Sequence, residues 1–164
     1  HAQLDGHHLA WLRDVPPARV LEDAVYLCHA TPASDETYWL ETVQPDGTVR
    51  MSDIAAIEQA AAGITQSLIL CGHTHVARAV RLRDGRMIVN PGSVGSPGYR
   101  DIVPFPHTME AGSPDARYAI LDRRAGQWHV TFRHVPYDHE AMAKLARQNG
   151  HPDLANALAT GWIR

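Results

Sequence analysis

The chain has 164 residues, enough for one domain with a sizeable core. Hydrophobic residues make up 45% and charged residues 20%, as in a water-soluble globular protein. A net charge of −3 with no Lys/Arg-rich block argues against a grip on a nucleic-acid backbone, and no apolar run approaches the roughly 18 residues of a membrane helix.

In chain order, residues 7–13 read as a short helix that stops before Pro16-Pro17. Residues 24–28 (AVYLC) are a short apolar strand, and His29-Ala30-Thr31-Pro32 leaves it as a loop. Residues 35–44 fit either a helix or an extended anchor. Residues 52–63 predict a helix, with Ser52 as its cap, Asp53 at its positive end and Gly63 at its stop. Residues 67–71 (SLILC) are a second apolar strand. Strand, helix, strand predicts a parallel pair in an α/β sheet.

Further on, residues 76–82 and 87–90 flank Arg83-Asp84-Gly85-Arg86, a hairpin signal. Residues 117–122 and 128–135 flank a second turn at residues 124–127. In that last strand Trp128, Val130 and Phe132 alternate with His129, Thr131 and Arg133, which predicts one buried and one wet face. Residues 91–116 read as a Gly/Pro-rich loop. Two helices, residues 138–149 and 153–161, close the chain, with Pro152 at a helix start. The expectation is a single α/β domain over residues 1–164.

Chemistry concentrates where strands end, the place where open α/β sheets bind ligands. His29 follows the first apolar strand, His73 and His75 the second, and Asn90-Pro91-Gly92-Ser93 the third. Two histidines spaced i, i+2 on a strand would share a face. About 0.7 His-x-His pairs are expected by chance in a chain with 11 histidines, so the pair alone carries little. Convergence of three histidines on one sheet edge is what points to a metal. His107, His129, His134, His139 and His151 lack ligand spacing. Asn90 and Arg100 are candidate phosphate-binding residues. Trp39 and Trp128 read as packing anchors. Cys28 and Cys71 read as buried, reduced thiols of a cytoplasmic protein.

Gly72-His73-Thr74-His75, followed by residues 90–97 (NPGSVGSP) and preceded by residues 28–32 (CHATP), resembles the calcineurin-like metallophosphoesterase superfamily, in its small bacterial and archaeal phosphodiesterase branch. Ala30 stands where that branch more often has glycine. The resemblance implies a four-layer α/β/β/α sandwich with mixed sheets and antiparallel hairpins. It implies metal-dependent hydrolysis of a phosphate ester, most often a phosphodiester, at two divalent ions. Mn²⁺ leads, with Fe, Zn, Ni and Mg as other occupants. His29 and His73 would hold one ion and His75 the other. The substrate would be a phosphorylated small molecule or nucleotide.

The first half of the superfamily carries Asp-x-His, Gly-Asp and Gly-Asn-His motifs, and none of the three is read ahead of residue 29. The chain therefore reads as the C-terminal portion of the domain, inactive without an N-terminal segment as partner. Without that segment an apolar strand is expected to lie at an exposed edge, a template for aggregation. Other readings are a non-catalytic interaction scaffold with the same fold, and a structural zinc module using the three histidines with Cys28 or Cys71.

Overall fold

The computed structural model describes residues 4–163. Helix α1 (Gly6–Asp14) begins where Asp5 accepts the His8 backbone N–H at 2.9 Å. It buries none of its residues. Strand β1 (Ala18–Leu21) turns back through Glu22 and Asp23, both with positive φ, into β2 (Val25–Cys28). Strand β1 was not predicted. It pairs antiparallel with β2 from Ala18↔Cys28 to Leu21↔Val25. The edge of β2 is therefore covered, contrary to the expectation that an apolar strand would stand bare.

Residues 35–40 form no helix, and the segment ends as strand β3 (Glu41–Val43), paired with β4 (Val49–Met51). Trp39 is buried and its indole N–H donates to the Ile57 carbonyl at 3.1 Å, so it is a packing anchor. Helix α2 (Ile54–Ala60) follows. Ser52 does not cap it: the cap position is Asp53, with no side-chain bond, and the Ser52 hydroxyl meets the Thr42 hydroxyl at 2.8 Å. The β3–β4 pairing draws Ser52 away from the helix.

Strand β5 (Leu68–Leu70) lies parallel to β2 on one side and parallel to β7 (Met87–Asn90) on the other, with β6 (Arg78–Arg81) antiparallel to β7. The sheet order is β1-β2-β5-β7-β6. Alternation along β5 and β7 sorts the core. Ile69 and Ile88 pack with Ile57, Ala61 and Trp39 on the α2 side. Leu68, Met87 and Val89 pack with Ala119, Leu121, Trp128, Val130 and Phe132 on the other.

Those last residues belong to the hairpin β10 (Ala116–Arg124) and β11 (Gln127–Val135), which turns through Ala125 and Gly126, both with positive φ. The predicted alternation holds. Trp128 also donates its indole N–H to the Ser67 hydroxyl at 2.9 Å. Residues 91–116 are not all loop. They hold a hairpin of β8 (Gly98–Asp101) and β9 (His107–Glu110). Helices α3 (His139–Gln148) and α4 (Pro152–Thr160) pack on each other, and α4 rests against β8. The order is helix, mixed sheet, antiparallel hairpin. Tyr118 and Ile120, on the far face of that hairpin, are exposed.

Candidate metal centre

Because β2 and β5 are parallel and adjacent, the residues after them leave from the same edge of the sheet. The Gly72 N–H donates to the His29 carbonyl at 2.7 Å, carrying the ladder one step past the strands. His29 and His73 then meet: Nε2 of His29 lies 3.2 Å from Nδ1 of His73, with ring centroids 5.1 Å apart.

His73 and His75 do not converge as strand neighbours. Strand β5 ends at Leu70, and both histidines have left-handed backbones, at φ 67° and 61°. Such conformations are uncommon for residues other than glycine and cluster at functional sites. Thr74 between them is buried.

Each of the two has one ring nitrogen tied to a carbonyl. His73 Nε2 is 3.1 Å from the Glu36 carbonyl, and His75 Nδ1 is 2.8 Å from the Ser96 carbonyl. A carbonyl only accepts, so these nitrogens carry the protons. The lone pairs are left on Nδ1 of His73 and Nε2 of His75. This is how ligand histidines are oriented by outer partners. Burial lowers the pKa of His73 most strongly; the hydrogen bond to Glu36 opposes it in part, and His29 lowers it further. Burial lowers the His75 pKa most strongly too, opposed in part by the hydrogen bond to Ser96, with smaller lowering by His73 and His29. Both imidazoles are thereby biased to the neutral form that binds a metal.

The donors fit a divalent ion in part. Two nitrogens at about 2.1 Å from one ion, at tetrahedral or octahedral angles, stand about 3.0–3.4 Å apart. His29 and His73 meet that spacing. Among the described residues, however, no three His, Cys, Asp or Glu side chains are grouped to hold an ion by themselves. The letters Asp5-Gly6-His7 do spell Asp-x-His, which corrects the reading that none lies ahead of residue 29. Yet they sit at the start of α1, with Asp5 engaged as its cap, and not at a strand end.

Two further residues expected to bind phosphate make other contacts. Asn90 is only 1% exposed and spends its amide inside the protein, on Gly72, Thr74 and Gly92. Arg100 faces α4, with its Nε 3.4 Å from an Asp153 carboxylate oxygen. Its strand neighbour Tyr99 takes the site-facing side, as alternation requires.

Tyr99 and Tyr38 went unassigned in the sequence. The Tyr38 ring stands edge-on to His73 at 5.0 Å, and the Tyr99 ring edge-on to His75 at 5.1 Å. Their hydroxyls are 2.9 Å apart, and the Tyr99 hydroxyl also reaches the His73 carbonyl at 3.3 Å. Buried His107 backs them. Its Nδ1–H donates to the Phe105 carbonyl at 2.7 Å, so Nε2 accepts from the Tyr38 hydroxyl at 2.9 Å. Burial pushes both phenol pKa values up, so the hydroxyls stay protonated at neutral pH. No ligand spacing betrayed His107, because its partner lies on a different loop.

Cys28 and Cys71 are buried free thiols. Burial, with a smaller push from Asp35, raises the Cys28 thiol to about 11, far from a reactive thiolate.

Residues 10–105 match the calcineurin-like phosphoesterase superfamily domain, and the chain belongs to that superfamily. A search of curated proteins gives no match. Among solved structures, the hypothetical protein PH1004 from Pyrococcus horikoshii is 19% identical, with a TM-score of 0.66 over 97% of this chain and 56% of that one. The chain thus spans little more than half the length of that protein, with which it shares the fold. Vps29 from Entamoeba histolytica, as a single mutant, is 16% identical with a TM-score of 0.41, over 76% of this chain and 63% of that one. Vps29-type Vacuolar Protein Sorting 29 from Cryptosporidium parvum is 18% identical with a TM-score of 0.34, over 74% of this chain and 58% of that one.

Proposed function

We propose that this chain supplies part of the dinuclear metal site of a phosphoesterase that hydrolyses a phosphodiester. The observation that carries the reading is the protonation pattern set by the fold. Glu36 and Ser96 carbonyls hold the protons of His73 and His75 on the outer nitrogens. Nδ1 of His73 is thereby aimed at Nε2 of His29, 3.2 Å away.

In this reading His29 and His73 hold one divalent ion and His75 the other. Mn²⁺ is the first candidate; Fe, Zn, Ni and Mg suit similar donors. A bound pair of such ions lowers the pKa of water and stabilises an oxygen leaving phosphorus. The chain's own contribution is to fix imidazole orientation and to wall the site with Tyr38 and Tyr99. Among the described residues no three His, Cys, Asp or Glu side chains are grouped to hold an ion, so a dinuclear site needs ligands beyond these three histidines. The substrate is a phosphorylated small molecule or nucleotide. Two buried free thiols support a reducing, cytoplasmic setting. No described helix is long and apolar enough to cross a membrane.

Hydrolysis of bis-p-nitrophenyl phosphate with Mn²⁺ by the full-length protein tests this. Chelator abolishes turnover, and His75→Ala lowers it by at least ~100-fold. Near-normal turnover in that variant, with metal content unchanged, overturns the reading.

A further inference from the structure

A buried side chain holds the segment between the two histidines from beneath. Asn90 closes β7, 1% exposed. Its Nδ2 donates to the Gly72 carbonyl at 2.7 Å and to the Thr74 hydroxyl at 3.0 Å. Its Oδ1 accepts the Gly92 N–H at 2.9 Å. Both amide protons are used, and each goes to a residue adjoining a histidine. Thr74, 2% exposed, closes the turn by donating its own N–H to the Gly72 carbonyl at 2.8 Å.

The left-handed backbones of His73 and His75 are disfavoured for residues with a Cβ and persist only where surroundings over-determine them. The Asn90 amide grips the turn on both sides of His73 and immediately before His75. Loss of that grip lets Thr74 rotate and relaxes both histidines towards ordinary φ, which swings their rings away from the Glu36 and Ser96 carbonyls. We infer that Asn90, acting through Thr74, is a positioning residue that sets the orientation and tautomer of His73 and His75 rather than a residue that touches phosphate. The inference rests on the proposed metal role of those two histidines for its significance, but the geometry it describes exists without metal.

The chemistry selects the variants. Asn90→Asp keeps shape and the acceptor for Gly92, but replaces both donors by an oxygen facing the Gly72 carbonyl. Thr74→Val removes only the hydroxyl, and Thr74→Ser retains it. The readout is long-range ¹⁵N NMR of the imidazoles in metal-free protein, paired with calorimetric titration of Mn²⁺. In the unaltered protein His73 is the Nε2–H tautomer and His75 the Nδ1–H tautomer. Asn90→Asp and Thr74→Val convert both to averaged mixtures and weaken Mn²⁺ binding by roughly 10–100-fold, whereas Thr74→Ser does neither. If Asn90→Asp does not fold, the Thr74 pair decides. Unchanged tautomers in a folded Asn90→Asp or in Thr74→Val, with only the melting temperature lowered, would overturn the inference. Tautomers that respond as described in a full-length protein that binds no Mn²⁺ would uphold Asn90 as the positioning residue and sink the proposed function instead.

Discussion

His73 and His75 each adopt a left-handed backbone, with buried Thr74 between them. The i, i+2 rule does not apply to the pair, since neither residue lies on a strand. The three histidines were legible because strand ends are legible. Asn90 was visible as a polar residue at a strand end, but a buried amide and an exposed one look alike in sequence. Tyr38, Tyr99 and His107 were not legible as a set, for they are joined only by folding of separate loops. Protonation follows from the same geometry. The folded-state pKa values of His73 and His75 lie below the ordinary histidine value, chiefly through burial. The unfolded chain therefore binds more protons below about pH 6.5, and stability present above that pH is lost as pH falls towards the folded-state values. With chelator present, the melting temperature should drop between pH 7.5 and 5, and His75→Gln should reduce that drop. An identical pH dependence in both proteins would show that His75 is not held neutral by the fold.

At the scale of elements, β2, α2 and β5 were readable because apolar runs and a helical period are strong local signals. The hairpins β3–β4 and β8–β9 escaped because their strands have three or four residues, with little apolar content to mark them. Tertiary contacts define them. Gly47, with φ 81°, lies so close to the Pro106 carbonyl that an added Cβ would stand 2.7 Å from its oxygen. The turn of one hairpin thus presses on the neighbour of the other. The C-terminal helices show the same dependence. Gly161 ends α4 with φ 80°, and a Cβ there would overlap the Ser113 backbone. Gly161→Ala should destabilise by more than the ~1 kcal/mol of left-handed backbone strain alone. Urea unfolding measures this, and a midpoint within error of the parent would mean that the helix end and the 111–115 loop do not touch in solution.

For the whole molecule, the mixed sheet buries Ile88 at 0% exposure among Ile57, Ile69 and Val80. Ile88→Ala should cost about 2–5 kcal/mol in chemical unfolding, through lost transfer energy and a residual cavity. A loss under 1 kcal/mol would say that α2 is not packed on this face. The expected bare central strand is corrected by β1, yet the same end of the molecule keeps apolar surface. Trp11, Leu12, Val15 and Leu27 are exposed there and line a cavity of about 510 Å³ that reaches His29. Sequence periodicity could not show this, because β1 and α1 are too short and mixed to reveal which faces stay open. The proposed role of His29, His73 and His75 is to hold divalent metal. Calorimetric titration of Mn²⁺ into the full-length protein, alongside His29→Ala, His73→Ala and His75→Ala, tests it most directly. The prediction is saturable binding of two ions, weakened about 10-fold or more by each substitution. Two-ion binding that is unchanged in all three variants would contradict it.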